Sequence, residues 1–280
     1  MDMDTAAFAE VERLTPRAAH AQAAGASPIA WLEPHHESSV KAASAADHHD
    51  CANCSSRRFC LPDDFDAGDT AALKGVFGNY RKVKQGEAIF RAGEPFRHLY
   101  VAKVGSCKTV AIDNEGREQI IGFQIAGEFM GMDGISTGHH VLDAIALEDS
   151  VICCLPFKEL AAAGERNVAL RSHLHKLMSR ELVRESALLM LIGRMNSVER
   201  LIAFLLNLSK RYAQRGYSAQ EFNLRMTRDE IGCHLGLTLE TVSRGLSKLG
   251  SLGLIKCSGK RVSITDRTGL EEMSGHLLPQ

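Results

Sequence analysis

The stretch MTRDEIGCHLGLTLETVSRGLSKLGSLG, residues 226–253, reads as two short helices around one tight turn. Thr227 and Glu230 have the spacing of a capping box, so a helix begins there. Ile231 and Leu235 give it an apolar face, and Gly236 ends it. Thr238 can cap a second helix whose Val242, Leu246 and Leu249 turn inward. Two such helices joined by a glycine-containing turn make a helix-turn-helix. GLIKCSGKRVSI follows at 253–264, two β-prone runs around Ser258-Gly259, which predicts a hairpin or wing.

The exposed face of the second helix starts with Glu240, Thr241, Ser243 and Arg244. In a helix-turn-helix, early residues of the second helix reach base edges. Arg244 can bond guanine O6 and N7 together, and Glu240 can accept from cytosine N4. The alternative is an i, i+4 Glu240–Arg244 salt bridge on a solvated face, worth a few tenths of a kcal/mol. Lys248, Lys260 and Arg261 lie close enough in sequence to meet phosphates, which favours the DNA reading.

The 280 residues suit two domains plus a tail, with a formal net charge of -1. From residue 197 to the end, twelve Lys or Arg face eight Asp or Glu, so this part is locally basic. No signal peptide is apparent, and the longest apolar run, Ala187 to Ile192, is too short to span a bilayer. A cytoplasmic protein with no membrane partner is expected. No Ser/His/Asp motif, Walker-type glycine loop or paired-carboxylate motif points to an enzyme.

Upstream the pattern changes. From Tyr80 to Phe157, β-prone runs alternate with turns at Gly86, Gly93, Gly105, Gly116 and Gly127. That spacing suits an antiparallel sandwich or barrel, and a jelly roll is expected. Phe65 to Phe77 reads as a short helix. Residues 1–50 read as a disordered Ala- and His-rich tail, with His35, His36, His48 and His49 in it.

Asn167 opens a long helix. Arg171, His175, Met178, Leu182, Glu185, Leu189, Ile192 and Asn196 alternate four and three residues apart, which favours a heptad seam for a second copy of the chain over one wide face buried in a single chain. Leu174, Leu177, Leu188, Leu191 and Met195 form a second stripe for the β-domain. Glu185 in the seam would face its own copy, and like charges there weaken pairing. A further helix is expected from Asn196 to Arg215.

HHDCANCSSRRFCLP, residues 48–62, holds Cys51, Cys54 and Cys60. Three thiols within ten residues, in a chain without a secretory signal, read as ligands of a thiophilic metal centre that takes its fourth ligand from elsewhere. His48 and His49 leave a zinc site open, since zinc accepts mixed Cys and His ligands.

With these parts assembled, the chain resembles the cyclic-AMP receptor protein superfamily, and within it the FNR type, the fumarate and nitrate reduction regulators. The likeness runs from Cys51 to near the C-terminus. It is carried by C-x2-C-x5-C at 51–60, GREQI at 116–120, AGEFMGMDGISTGHH at 126–140, SVICCLPF at 150–157, NLSKRYAQRG at 207–216 and LTLETVSR at 237–244.

The resemblance implies an α+β chain: tail 1–50, cysteine-rich loop 51–62, jelly-roll sensor domain 63–166, dimerisation helix 167–196 and winged helix-turn-helix 197–280. It implies a [4Fe-4S] cluster on Cys51, Cys54, Cys60 and Cys153, lost to oxygen together with dimerisation and DNA binding. Cys154 adjoins Cys153; in a strand the two point to opposite faces, so one of them faces the cluster. Cys107, Cys233 and Cys257 have no motif support and read as small buried apolar residues. Glu240, Ser243 and Arg244 fall on the family's base-reading positions, for an inverted repeat of TTGAT. RNA polymerase is an implied partner, with the loop around Gly116 as its contact. The segment GMDGISTGHHVLDA, residues 131–144, has no Arg or Lys, so no cyclic nucleotide is expected.

Overall fold

A computed structural model describes residues 47–48, 51, 54–65, 68–69, 73, 76–77 and 79–274. Most of the expected tail and most of the expected helix at 65–77 lie outside the described residues, as do His35, His36 and His49. Asp47–His48 (β1) is a strand that pairs antiparallel with Asn79 and Tyr80.

Arg57–Cys60 forms one short helical turn (α1). The β-prone runs become Asn79–Val83 (β2), Ala88–Phe90 (β3), His98–Val104 (β4), Ser106–Ile112 (β5), Glu118–Ile125 (β6), Phe129–Met130 (β7), Asp143–Ala146 (β8) and Ser150–Pro156 (β9). They build two sheets, ordered β1-β2-β9-β4-β7 and β3-β8-β5-β6, the expected jelly roll. Gly86, Gly93, Gly105, Gly116 and Gly127 all take positive φ at the bends. Gly105 is needed for space as well, since a Cβ there would sit 2.1 Å from Ser150 Oγ.

Alternation along the strands separates two cores. Ala102, Ile152, Phe90 and Met130 close the space between the sheets. Leu99, Val101 and Leu155 point the other way, onto Leu61, Phe65 and Phe77 of the preceding segment and onto two helices that follow the roll. Those are Phe157–Arg166 (α2) and Val168–Arg194 (α3), with the Asn167 side chain accepting the Leu170 N–H at 3.0 Å to start the second.

The second stripe of α3 splits: Leu174 and Leu177 pack on the β-domain core as expected, while Leu191 packs on the core shared with the DNA-binding part. The expected seam line is largely free. Arg171, His175, Leu182, Glu185, Leu189 and Asn196 are exposed, while Met178 and Ile192 are half-buried. Val183 and Met190 are exposed apolar neighbours of Leu182 and Leu189 and widen the free face.

Ser197–Gln214 (α4) starts with an Asn196/Glu199 capping box and buries Leu201, Phe204, Leu205 and Leu208. Arg228–Leu235 (α5) and Leu239–Ser251 (α6) are the helix pair, with the Thr227/Glu230 capping box formed and Gly236 left-handed at φ 64. The wing is a three-stranded sheet: Glu221–Asn223 (β10), Ile255–Ser258 (β11) and Arg261–Ile264 (β12), in the order β10-β12-β11. Its β11–β12 hairpin pairs Ser258 with Arg261, as the Ser-Gly turn predicts. Arg267–Met273 (α7) closes the fold.

One ion cluster ties these layers together. Glu128, between β6 and β7, meets Arg211 of α4 (Nε at 2.8 Å), Arg215 just beyond it (3.0 Å) and Arg184 of α3 (3.7 Å). Burial opposes the charge on Glu128, yet Arg211, Arg184 and Arg215 outweigh it and hold the carboxyl down at about 2. A depressed carboxyl stabilises the fold above its unfolded value and loses that contribution as pH falls through the folded one. Glu128→Gln should therefore destabilise the protein by about 3 kcal/mol at pH 7. In denaturant titrations the gap to wild type should shrink from about pH 4.5 downward and close near pH 2.

Candidate metal centre and nucleic-acid interface

Cys51, Cys54, Cys60 and Cys153 line a single pocket between the cysteine loop and the outer face of the five-stranded sheet. The loop is pinned there by apolar burial and by its own backbone. Leu61 is fully buried in the outer core. The Arg57 guanidinium bonds the Phe65 carbonyl, and the Cys54 N–H donates to Cys51 O at 3.3 Å. Leu61, Phe77, Val101 and Leu155 make the remaining wall apolar, with Arg57 and Lys103 as cations at its edge.

Cys153 stands opposite Tyr80 on β2 and Val101 on β4. Cys154 stands opposite Tyr100 and faces Arg81, on the inner side of the sheet. The alternation that left one of the pair for the pocket places Cys153 there.

Burial raises the Cys60 thiol well above its usual range, and the neighbouring Cys153, Cys54 and Cys51 raise it further. Burial also pushes Cys153 up to about 12, with Cys51 and Cys54 adding to it and Lys103 opposing. The four sulfurs are thus close enough to repel as thiolates in an apolar setting. A bound cationic centre removes that repulsion and favours the deprotonated ligands. Among the described residues, no three His, Cys, Asp or Glu side chains close on a single metal-ion position.

Of the other three cysteines, one meets the expectation of a small buried residue and two depart from it. Cys107 is buried. Cys233 is half-buried and engaged, its thiol donating to Glu118 O at 3.3 Å. Cys257 is exposed on the wing, near the tip of the hairpin, although it shares its strand face with buried Ile255.

On the second helix of the pair, Glu240 and Arg244 are exposed and Ser243 is half-buried. The alternative Glu240–Arg244 bridge does not form; Glu240 is held at the helix start instead. Glu240's carboxyl is lowered first by its own backbone N–H, then by the Thr238 side chain, and only weakly by Arg244. Arg244 thereby keeps its fork of donors facing outward. Arg228 Nη1 donates to Ser243 Oγ at 3.2 Å. Lys248 and Lys260 are exposed beside this face, while Arg261 pairs with Glu221 at 3.0 Å.

Sequence reasoning missed how the helix pair docks on the β-domain. Lys108 on β5 bridges Glu230 at 2.9 Å with both side chains largely buried. Gln119 Nε2 donates to Cys233 O at 2.6 Å, and His234 Nδ1 lies 3.1 Å from Ile120 O. His234 packs against Phe123 and Phe204, and burial lowers its pKa to about 4, so it is neutral at pH 7. Glu230 already had a role in the capping box, so nothing in its sequence context announced a second partner.

Residues 199–273 match the Crp-like helix-turn-helix domain, and residues 80–167 the cyclic nucleotide-binding domain. The fumarate and nitrate reduction regulatory protein of Escherichia coli K12 is 37% identical over 226 residues, 81% of this chain and 90% of that protein. The chain belongs to the FNR family of regulators. The anaerobic regulatory protein of Pasteurella multocida is 38% identical over 225 residues, 80% of this chain and 82% of the relative. The structure of FixK2 from Bradyrhizobium japonicum superposes with a TM-score of 0.64 at 30% identity, covering 69% of this chain and 96% of that one. The protein is accordingly a DNA-binding transcription regulator. No helix among the described residues is long and apolar enough to cross a membrane.

The differing exposures predict an order of thiol modification. In metal-free native protein, Cys257 should alkylate at least about ten times faster than Cys107, because a buried thiol with a raised pKa is inert. Peptide mass spectrometry over a time course reads the order.

Proposed function

We propose an oxygen-responsive regulator in which Cys51, Cys54, Cys60 and Cys153 hold a [4Fe-4S] cluster assembled without oxygen. Cluster assembly promotes homodimerisation and binding to a TTGAT-type inverted repeat, and oxygen reverses both. The observation that carries the reading is the convergence of three loop thiols and one strand thiol on one pocket, in a chain whose relatives are named for anaerobic regulation. When bound, the cluster supplies an oxygen-labile inorganic link between the four sulfurs. The donor set fits: four thiols, an apolar wall, and Arg57 and Lys103 to offset the negative charge of a thiolate-ligated core.

The chain's own residues do the rest. The thiols tie the loop to β9, next to the base of α3. Leu182, Val183, Leu189 and Met190 leave α3 an apolar free face, with Ser179 and Ser186 between them, and a second copy of the chain would cover it. Glu185 flanks that face. Partial desolvation and then Glu181 raise its carboxyl. Crowded charge there keeps the cluster-free dimer weak. Two linked recognition helices turn the second half-site contact into an intramolecular event. Arg244 and Glu240 read the G·C pair of each half-site and Ser243 its surroundings, with RNA polymerase contacting the exposed turn at Asp113–Arg117.

No cyclic nucleotide takes part. The Asp133 carboxylate accepts the N–H groups of Val141 and Leu142, at 2.8 and 3.1 Å, and lies 3.4 Å from His140. His140 is buried and stacked on Phe90 at 3.9 Å. The segment's backbone donors are spent on the protein's own anion.

Iron and sulfide per chain, measured after anaerobic purification, test the centre. Wild type and Cys154→Ser should carry the cluster, and Cys153→Ser should lose it. Zinc in place of iron, or retention by Cys153→Ser, overturns the reading. For DNA, Arg244→Ala should cost about 1–3 kcal/mol and relax preference for G·C over the other pairs at its position. Fluorescence anisotropy on matched and substituted duplexes reads both effects. Glu185→Ala should raise the dimer fraction of air-exposed protein in sedimentation; an unchanged equilibrium removes Glu185 from the switch.

A further inference from the structure

The cysteine loop touches more than the sheet. Between Cys54 and Cys60 it carries Arg58 and Phe59, and both reach the end of α4, the first helix of the DNA-binding part. Arg58 Nη2 donates to the Gln214 carbonyl at 2.6 Å. The Arg215 guanidinium lies over the Phe59 ring, 4.6 Å from its centroid, and Arg58 lies 4.8 Å from the same centroid. Phe59 itself sits in a niche made by Gly127. A Cβ at Gly127 would stand 2.8 Å from the ring, and Gly127 has φ +85.

Arg215 is committed on its other side. It donates to Ala126 O, to Arg211 O at 2.8 Å and to Glu128 at 3.0 Å. One guanidinium therefore touches the loop, the β6–β7 turn and α4 together. The Phe59 backbone also acts on His173 of α3, raising its pKa against the fall that burial imposes. The loop thus has two outputs, α3 through His173 and α4 through Arg58 and Arg215.

We propose that Phe59 and Arg215 form a direct coupling from the cysteine loop to the DNA-binding part, separate from dimerisation. This rests on the cluster reading above. While the loop is held, Phe59 caps Arg215 and Arg58 ties the last carbonyls of α4, fixing the angle at which α4 and the docked helix pair leave the sensor sheet. When the loop is released, Arg215 loses its ring and Gln214 its donor, and α4 loosens at that end. The dimer then presents its recognition helices with greater angular spread, and a rigid two-site target is met less often. Arg215 acts here as a positioning residue: it touches neither DNA nor the metal site.

The test compares wild type, Arg215→Leu and Arg58→Ala, each as full-length protein, before and after air exposure. Iron and sulfide per chain and the dimer constant are measured on the same samples. Arg215→Leu should keep its cluster and dimer constant yet bind a TTGAT inverted-repeat duplex about tenfold more weakly in the cluster-loaded state only, within the usual range of coupling between sites. A merely structural role would weaken both states equally, and that outcome overturns the proposal. Since Arg215→Leu also disturbs the Glu128 cluster, Arg58→Ala and hydrogen exchange give independent readings. Wild-type amides at 211–217 should exchange faster after cluster loss, and Arg58→Ala should show the faster rate while still loaded. Flat exchange with iron present sinks this coupling alone. Anaerobic protein without iron sinks the cluster reading and the coupling with it.

Discussion

The organisation of this chain depends on one buried carboxylate. Glu128 sits where the β-domain, the long helix α3 and the DNA-binding part meet, and three guanidiniums from two of those elements converge on it. A lone carboxylate in that position would be strongly disfavoured by desolvation, and so would three cations without it. The carboxylate and the cations therefore need one another, and together they fix relative positions where apolar packing alone would tolerate sliding. A hydrophobic core continues the same joint, with Phe123 and Ile120 of β6 packing on helices of the DNA-binding part. The sensor sheet and the reader share one interior rather than meeting across a linker.

Much of this was legible in the sequence because local rules agreed with the global fold. Thr227, Glu230, Gly236 and Thr238 fixed the helix pair by capping chemistry that needs no distant partner. The glycine spacing gave the jelly roll for the same reason, since each positive-φ bend is a local demand. Strand alternation limited the choice between Cys153 and Cys154 to one of the two, and the family motif named Cys153. What escaped was non-local. Glu128 reads as an ordinary turn residue, and Arg211 and Arg215 as a basic helix end, until the fold closes. β10 escaped because EFN is too short to show a period and becomes a strand only beside β12.

The heptad line read onto α3 stays mostly free of the chain's own packing. Arg171, His175, Leu182, Glu185, Leu189 and Asn196 are exposed along it. Met178 and Ile192 turn toward the chain's own body, and Val183 and Met190 widen the free side. A face flanked by branched residues and floored by Ser179 and Ser186 lets two helices approach closely, which a face lined by long side chains throughout would not.

The two sides of the five-stranded sheet are built differently. On its inner side His140 is buried and stacked on Phe90, with Asp133, 3.4 Å from it, taking the backbone donors of Val141 and Leu142. Its outer side carries the thiol pocket. Consecutive residues of a strand face opposite ways, so Cys153 meets the pocket and Cys154 the inner side. β9 ends at Pro156, directly before α2, so Cys153 stands four positions before the first helix that follows the roll. A group between the sheets is separated from α2 and α3 by the sheet itself, whereas one in the outer pocket lies on the face where those helices pack.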